Sequence, residues 1–358
     1  MENEYDFKRY KKAPKTGLKK FGDTSYLNAV LQCLGNIYEL ANYFLNPKYQ
    51  ILINSNINIM PLSFVLERLF IRLYPYPEKD EPIIYGNDKV LSVLANYNII
   101  YKSTKTRNPK DLINLILDII HSELNTKKSL NKNSNYNNFD FNSIINTEIV
   151  NFFNTNDSII SRHFSYSEIK ENLCIICKKT IYELHHYYTF DLDILNCASK
   201  IEKSNITVTD CLNYLSIPKL KNFFCQNCNQ HRETNIISRI YGSPEIFIFL
   251  LDRGNLESNL MDIKFTIEDK LDLNNYIENK DSPKEYELIG IVSISKKEKI
   301  YISFSKSPID NQWYIYNEEK VDLIDINSVI NNNNDLNLYI PCILFYNSIK
   351  KINNEQNK

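Results

Sequence analysis

Two pairs of cysteines carry the most chemistry in this chain: Cys174-Ile-Ile-Cys177 and Cys225-Gln-Asn-Cys228. A CxxC pair presents two thiolates from one tight turn, and two such turns complete a tetrahedron around a single metal ion. The pairs lie 47 residues apart, so the segment between them must leave the site and return. The spacing points to a structural zinc held by Cys174, Cys177, Cys225 and Cys228. Four thiolates leave no open position, so such a site stabilises the fold and does not catalyse. Reduced core thiols and disulfides are the two other readings of the same residues. Cys33 and Cys342 lie in apolar helix and strand patterns and read as small hydrophobes, while Cys197 and Cys211 have no evident partner. The histidines are His121, His163, His185, His186 and His231. His185 and His186 are adjacent in a strand pattern and so face opposite sides. His121 falls on a helix, where a structural hydrogen bond is expected.

The elements that must position these residues change character along the chain. Of its 358 residues, 43% are hydrophobic and 24% charged, an ordinary globular balance for one large domain or two to three small ones. A formal charge of −1 argues against a nucleic-acid protein held by bulk electrostatics. The first residues have no apolar core of the kind a secretory signal carries, and the longest apolar run, Ile246 to Leu251, is too short to cross a bilayer. Cysteines in such a chain are expected to be free or metal-bound. Helical spacing marks Thr24 to Leu34, with Asp23 or Thr24 available as N-cap, then Ser63 to Tyr74 and Asp88 to Tyr97. The clearest helix is Lys110 to Leu124, where Leu112, Leu115, Ile116, Ile119 and Ile120 form one stripe. Asparagine clusters at 131–138 and 331–334 read as swollen loops. After about residue 160 the pattern is of strands: 180–192, 233–241, 245–251, 286–294, 299–305, 312–316 and 339–346. Helices first and strands afterwards make an α+β chain rather than an alternating βαβ one.

The segment Gly17-Leu-Lys-Lys-Phe-Gly-Asp-Thr-Ser-Tyr-Leu-Asn-Ala-Val-Leu-Gln-Cys-Leu34 closely resembles the cysteine box of ubiquitin-specific proteases, roughly GLxNxGNTCYMNSxLQxL. Further segments resemble the family's motifs in the same order. Asp111 to Leu124 is similar to its EFLxxLLDxLHEEL helix, and Ser158 to Leu192 to the strand pair entering its fingers. Thr209 to Cys228 is similar to its second CxxC region, and Gly242 to Arg253 to its LPxxLxxxLKRF strand. Tyr286 to Val292 resembles its YxLxxVxxH strand, and Trp313 to Val321 its WYxFNDxxV box. The resemblance covers roughly residues 16 to 347. It implies a papain-like cysteine-protease fold with a helical thumb (about 16–160), zinc-bearing fingers (about 161–245) and a β-rich palm (about 246–347). A loose arm over 1–15 and a tail over 348–358 would flank it. The family cleaves the isopeptide bond after the C-terminal glycine of ubiquitin, which it holds between fingers and palm.

That chemistry needs a thiolate at a helix N-terminus, a histidine as general base and acid, a residue to orient it, and donors for the oxyanion. By the resemblance, the nucleophile position is Ser25, a hydroxyl that gains little from the helix dipole. The histidine position is Ile300, and no histidine follows His231. The oxyanion asparagine aligns with Lys20. Only Asn317 matches, at the position that orients the histidine. Losing the nucleophile or the base alone costs on the order of 10^6 in turnover in a triad protease. The expectation is a pseudo-deubiquitinase that binds ubiquitin or a ubiquitin-like protein and scaffolds a complex. A structural component of a larger assembly without ubiquitin binding, and a residually active hydrolase, are the alternatives. The expected location is cytoplasmic or nuclear, with Lys8, Arg9, Lys11, Lys12 and Lys15 as a faint nuclear signal and no membrane partner.

Overall fold

Helical spacing gives way to strand alternation near residue 165 in the sequence, and the architecture divides at the same place. The computed structural model describes residue 10 and residues 12–46, 60–74, 84–127, 141–201, 203, 205–251, 253, 263–330 and 338–349. Both asparagine clusters and the 350–358 part of the tail lie outside these residues.

The thumb begins with strand β1 (Gly17–Lys19) and helices α1 (Ser25–Gly35), α2 (Tyr38–Leu45) and α3 (Leu62–Leu73). Strand β2 (Ile84–Gly86) pairs in parallel with β1 and leads into α4 (Asp88–Tyr97). Helices α5 (Pro109–Leu124), α6 (Phe141–Thr155) and α7 (Ile159–His163) complete it. Every residue of α1 is buried, as a helix driven into the middle of a core requires. Its start follows Thr24, as the sequence suggests, but Thr24 does not cap it. Thr24 has φ −94 and ψ 19, not the extended backbone that aims an N-cap side chain into the first turn. Its hydroxyl instead accepts from the Phe21 N–H at 3.1 Å.

The fingers are a four-stranded antiparallel sheet in the order β4-β3-β8-β7. Its strands are β3 (Tyr166–Cys174), β4 (Thr180–Tyr187), β7 (Lys219–Cys225) and β8 (Gln230–Gly242). The excursion between the two cysteine pairs runs down β4 and into β5 (Phe190–Leu192). It continues through α8 (Ile194–Ile201), the short β6 (Asn205–Ile206) and α9 (Val208–Leu215), then climbs back along β7.

The palm is an eight-stranded sheet. Its strands are β5, β9 (Ile246–Leu251), β12 (Glu285–Ser295), β13 (Tyr301–Lys306), β14 (Trp313–Asn317), β15 (Lys320–Leu323) and β16 (Tyr339–Ser348), with β11 (Lys270–Asp272) on β12. Strand β10 (Lys264–Phe265) pairs with β6, and α10 (Asn327–Ile330) follows β15.

Both faces of the palm are covered. Ile246, Ile248 and Leu250 of β9 join the core under the thumb helices. Phe247, Phe249 and Leu251 join a second core with α8 and α9. This accounts for the uninterrupted apolar run at 246–251: a strand covered on two faces has no solvent side to mark with polar residues. The end of the segment read as a loose arm is docked. Ala13 packs with Tyr314 and Tyr316, and the Tyr316 hydroxyl donates to the Pro14 carbonyl at 2.8 Å.

Candidate functional site

Ser25, the first residue of α1, is 3% exposed. Its hydroxyl oxygen accepts the backbone N–H of Tyr301 at 3.1 Å, across 276 residues of sequence. The head of α1 therefore meets the start of β13, beside Ile300. The Ile300 side chain is half-buried against the core that α8 and α9 close. Strand β13 is reached through a tight turn from β12, in which the Ser295 N–H bonds the Ile300 carbonyl and the Lys299 N–H bonds the Ser295 carbonyl, both at 2.8 Å.

The other two positions join through neighbours. Lys20 Nζ lies 3.0 Å from the Glu318 carboxylate in a partly exposed ion pair. The Asn317 amide donates to Glu298 Oε2 at 3.1 Å, tying β14 to the β12–β13 turn. The Leu18 N–H bonds the Glu318 carbonyl at 2.8 Å, and Gly17 passes so close to Glu319 that an added Cβ would stand 2.2 Å from its carbonyl oxygen. Ser25, Ile300, Lys20 and Asn317 thus line one seam between thumb and palm.

The site also depends on residues the sequence reading gave no role. Asn28 Nδ2 donates to the Leu18 carbonyl at 3.0 Å, and Gln32 Nε2 to the Thr16 carbonyl at 2.8 Å. Asn36 Nδ2 donates to the Tyr316 hydroxyl at 3.1 Å, and Asn87 bonds Asn28. The i, i+4 spacing of Asn28 and Gln32 on α1, continued by Asn36 just past its end, was the available signal. A polar stripe on a fully buried helix must find partners, and these fix the chain leading into α1.

All five histidines are described, and each has its partners elsewhere. His121 bonds Ser158 Oγ at 2.8 Å and Asn156 Oδ1 at 3.1 Å, the structural role expected of it. His163 meets Glu245 at 2.8 Å, and His185 meets Glu183 at 3.6 Å. His186 bonds Ser167 at 3.0 Å and stacks on Phe152, and His231 sits edge-on to Phe224. Cys33 and Cys342 are buried, and burial pushes each thiol up to about 12. Cys197 and Cys211, left without a partner in the sequence, are both buried in the core that α8 and α9 close, and burial raises each thiol above its ordinary value.

At the far end of the fingers the sulfurs of Cys174, Cys177, Cys225 and Cys228 all lie within 4.8 Å of one another. Cys174 and Cys228 are 4.0 Å apart and Cys177 and Cys225 3.5 Å apart. A tetrahedral zinc with Zn–S bonds near 2.3 Å sets sulfurs about 3.8 Å apart, so the donor set fits. Lys178 and Asn229, each just after a cysteine pair, have φ of 58 and 51, the left-handed turn that aims both thiols inward. The Cys177 thiol is lowered to about 6, chiefly by the Lys179 backbone N–H. Four cysteines so placed can hold a zinc that binds the β3–β4 and β7–β8 turns into one tip.

Over residues 16–346 the chain matches the sequence profile of the family described as ubiquitin carboxyl-terminal hydrolase. It is 23% identical to ubiquitin carboxyl-terminal hydrolase 25 of Arabidopsis thaliana over 328 residues, covering 88% of this chain and 46% of that protein. It is 28% identical to ubiquitin carboxyl-terminal hydrolase 12 of Saccharomyces cerevisiae over 141 residues, 34% of this chain and 11% of that protein. The chain thus spans less than half the length of either relative. Among solved structures it resembles the SAGA Ubp8/Sgf11/Sus1/Sgf73 DUB module bound to ubiquitin aldehyde, with a TM-score of 0.68 at 18% identity over 95% of this chain and 71% of the other. The fold is therefore the papain-like one, with helical thumb, β-rich palm and cysteine-bearing fingers. Together the profile match and the fold place this chain in the ubiquitin carboxyl-terminal hydrolase family.

Proposed function

We propose that this chain is a pseudo-deubiquitinase: it binds ubiquitin or a ubiquitin-like protein, scaffolds a complex and does not hydrolyse the isopeptide bond. The observation that carries the reading is the seam at Ser25. A serine protease needs an imidazole within hydrogen-bond reach of its hydroxyl. Here the hydroxyl receives a backbone N–H from Tyr301 instead, and Ile300, at the histidine position, turns its hydrocarbon toward the core closed by α8 and α9. Lys20 is paired with Glu318, which weakens the charge it offers an oxyanion. Asn317 is turned to Glu298 and has no histidine to orient. Support for binding comes from the relatives: a DUB module of the same fold is bound to monoubiquitin.

Lys299 stands where the family has glycine, and its added side chain narrows the approach to the channel between α1 and the palm strands that would take ubiquitin's C-terminal tail. Recognition therefore falls to the globular body of ubiquitin. Calorimetry with intact and tail-truncated ubiquitin should give equal affinities. Absence of binding by both sinks the scaffold reading. A ubiquitin–fluorophore amide should release no fluorescence above blank. Ser25→Cys alone should not change that, because no base is supplied. Turnover that Ser25→Ala abolishes would overturn the inactive assignment.

A further inference from the structure

One face of the fingers holds a pocket of about 300 Å³ that the proposed function does not use. Cross-strand pairing explains its composition. Lys170 pairs with Glu183 and Ser238, Asn172 with Ile236, and Ile236 with Lys219. These residues, with Lys221 two positions further along β7, share one face of the sheet. The opposite face carries His186, which stacks on Phe152 of α6 at 3.8 Å. Three lysines and one glutamate line the pocket, a formal excess of two positive charges.

That excess is not cancelled nearby. None of the three ammonium groups is in an ion pair among the described residues, and the Glu183 carboxylate faces His185 instead. Lys219 lies 4.5 Å from the centroid of the Tyr214 ring, and Lys170 donates to the Tyr187 hydroxyl at 3.5 Å, so neither charge is met by a carboxylate. The second observation is Asn172. It lines the pocket, is only 3% exposed, and its Nδ2 has no hydrogen-bond partner. A buried amide donor left unpaired is destabilising until it finds an acceptor. Its terminal torsion is soft, so the amide can turn toward an acceptor in the cavity. Phe223, Ile236 and Leu215 supply apolar wall.

We propose that this pocket binds a phosphate group, with Lys170, Lys219 and Lys221 as counter-charges and the Asn172 amide as floor donor. A phosphate monoester carries about −1.5 to −2 charge at neutral pH, which matches the excess better than a single carboxylate does. The apolar wall suits the carbon skeleton of a phosphorylated side chain. The site shares no residue with the Ser25 seam.

The test is a proton–nitrogen NMR titration of the full zinc-loaded chain with inorganic phosphate and with phosphoserine, against sodium chloride at matched ionic strength. Saturable shifts centred on residues 170–172, 219–221 and 236–238 are expected. Tighter binding of phosphoserine assigns the site to a phosphorylated side chain, and equal binding to a free phosphate; either supports it. Lys219→Ala with Lys221→Ala, on the sheet's edge strand, should weaken binding roughly ten-fold or more. Glu183→Gln should tighten it several-fold and keeps the test decisive if the double variant does not fold. Shifts that stay linear, that chloride reproduces, or that neither variant alters overturn the proposal.

Discussion

Ser25, which the sequence resemblance sets at the nucleophile position with a hydroxyl in place of a thiol, is not idle. Its oxygen satisfies the Tyr301 N–H, which would otherwise be a buried donor without an acceptor, and so joins α1 to β13. His121 illustrates the same shift from chemistry to architecture. Burial holds its imidazole below the ordinary 6.5, against the pull of Asn156 and Asp118 in the other direction. The unfolded chain therefore takes up that proton first as pH falls. Its contribution to stability is complete above about pH 6.5 and is lost as pH drops through the lowered folded value. Melting temperature should accordingly fall between about pH 7 and pH 5, and His121→Gln should flatten that part of the profile. An unchanged slope in the variant would remove His121 from the acid sensitivity.

Among the elements, the helices of the thumb are joined by a carboxylate the sequence did not single out. Glu123, in the last turn of α5, is 3% exposed. Its oxygens accept the N–H groups of Leu62 and Ser63 at 2.8 and 2.7 Å, and the Tyr97 hydroxyl at 2.7 Å. The first N–H groups of a helix have no partner within it, and here a residue from another helix supplies the cap. One side chain thus couples α3, α4 and α5. Glu123→Ala should cost about 3 kcal/mol, read as a lower urea midpoint at unchanged slope, and Glu123→Gln less. A loss no larger than that of an exposed glutamate would refute the coupling.

The helices that were readable had strict apolar spacing: α1, α3, α4 and α5 lie within one or two residues of the spans read from the sequence. Those that were missed lacked such signals. Helix α2 follows Ile37, which has no capping side chain, α6 is rich in asparagine, and α8 and α9 are eight residues each. Helix α9 did carry a capping box, Thr207 with Asp210, a signal that fits its start.

At the scale of the whole molecule, the palm sheet separates two cores, and the fingers extend from it as a thin sheet with many half-exposed side chains. Such a sheet has little apolar burial of its own. Its tip depends on the cysteine cluster, where β3 and β8 end together. Metal analysis should find about one zinc per chain, and a chelator should lower the melting temperature. Metal-free protein with undiminished stability would sink the zinc assignment. Among the described residues no helix is long and apolar enough to cross a membrane.

The sequence by itself determined the residue types at the seam, the two cysteine pairs, the order of helices before strands and the family. Each of these is a local pattern or an ordered set of local patterns, readable without knowing what packs against what. The tertiary structure decided the rest. It set the Tyr301 N–H on Ser25, Glu298 on Asn317 and Glu318 on Lys20, and it brought Cys197 and Cys211 into one core. It also placed three lysines around one buried amide. These contacts join different strands, helices and turns, some hundreds of residues apart, and depend on side-chain direction in a packed core, which no short window of sequence encodes.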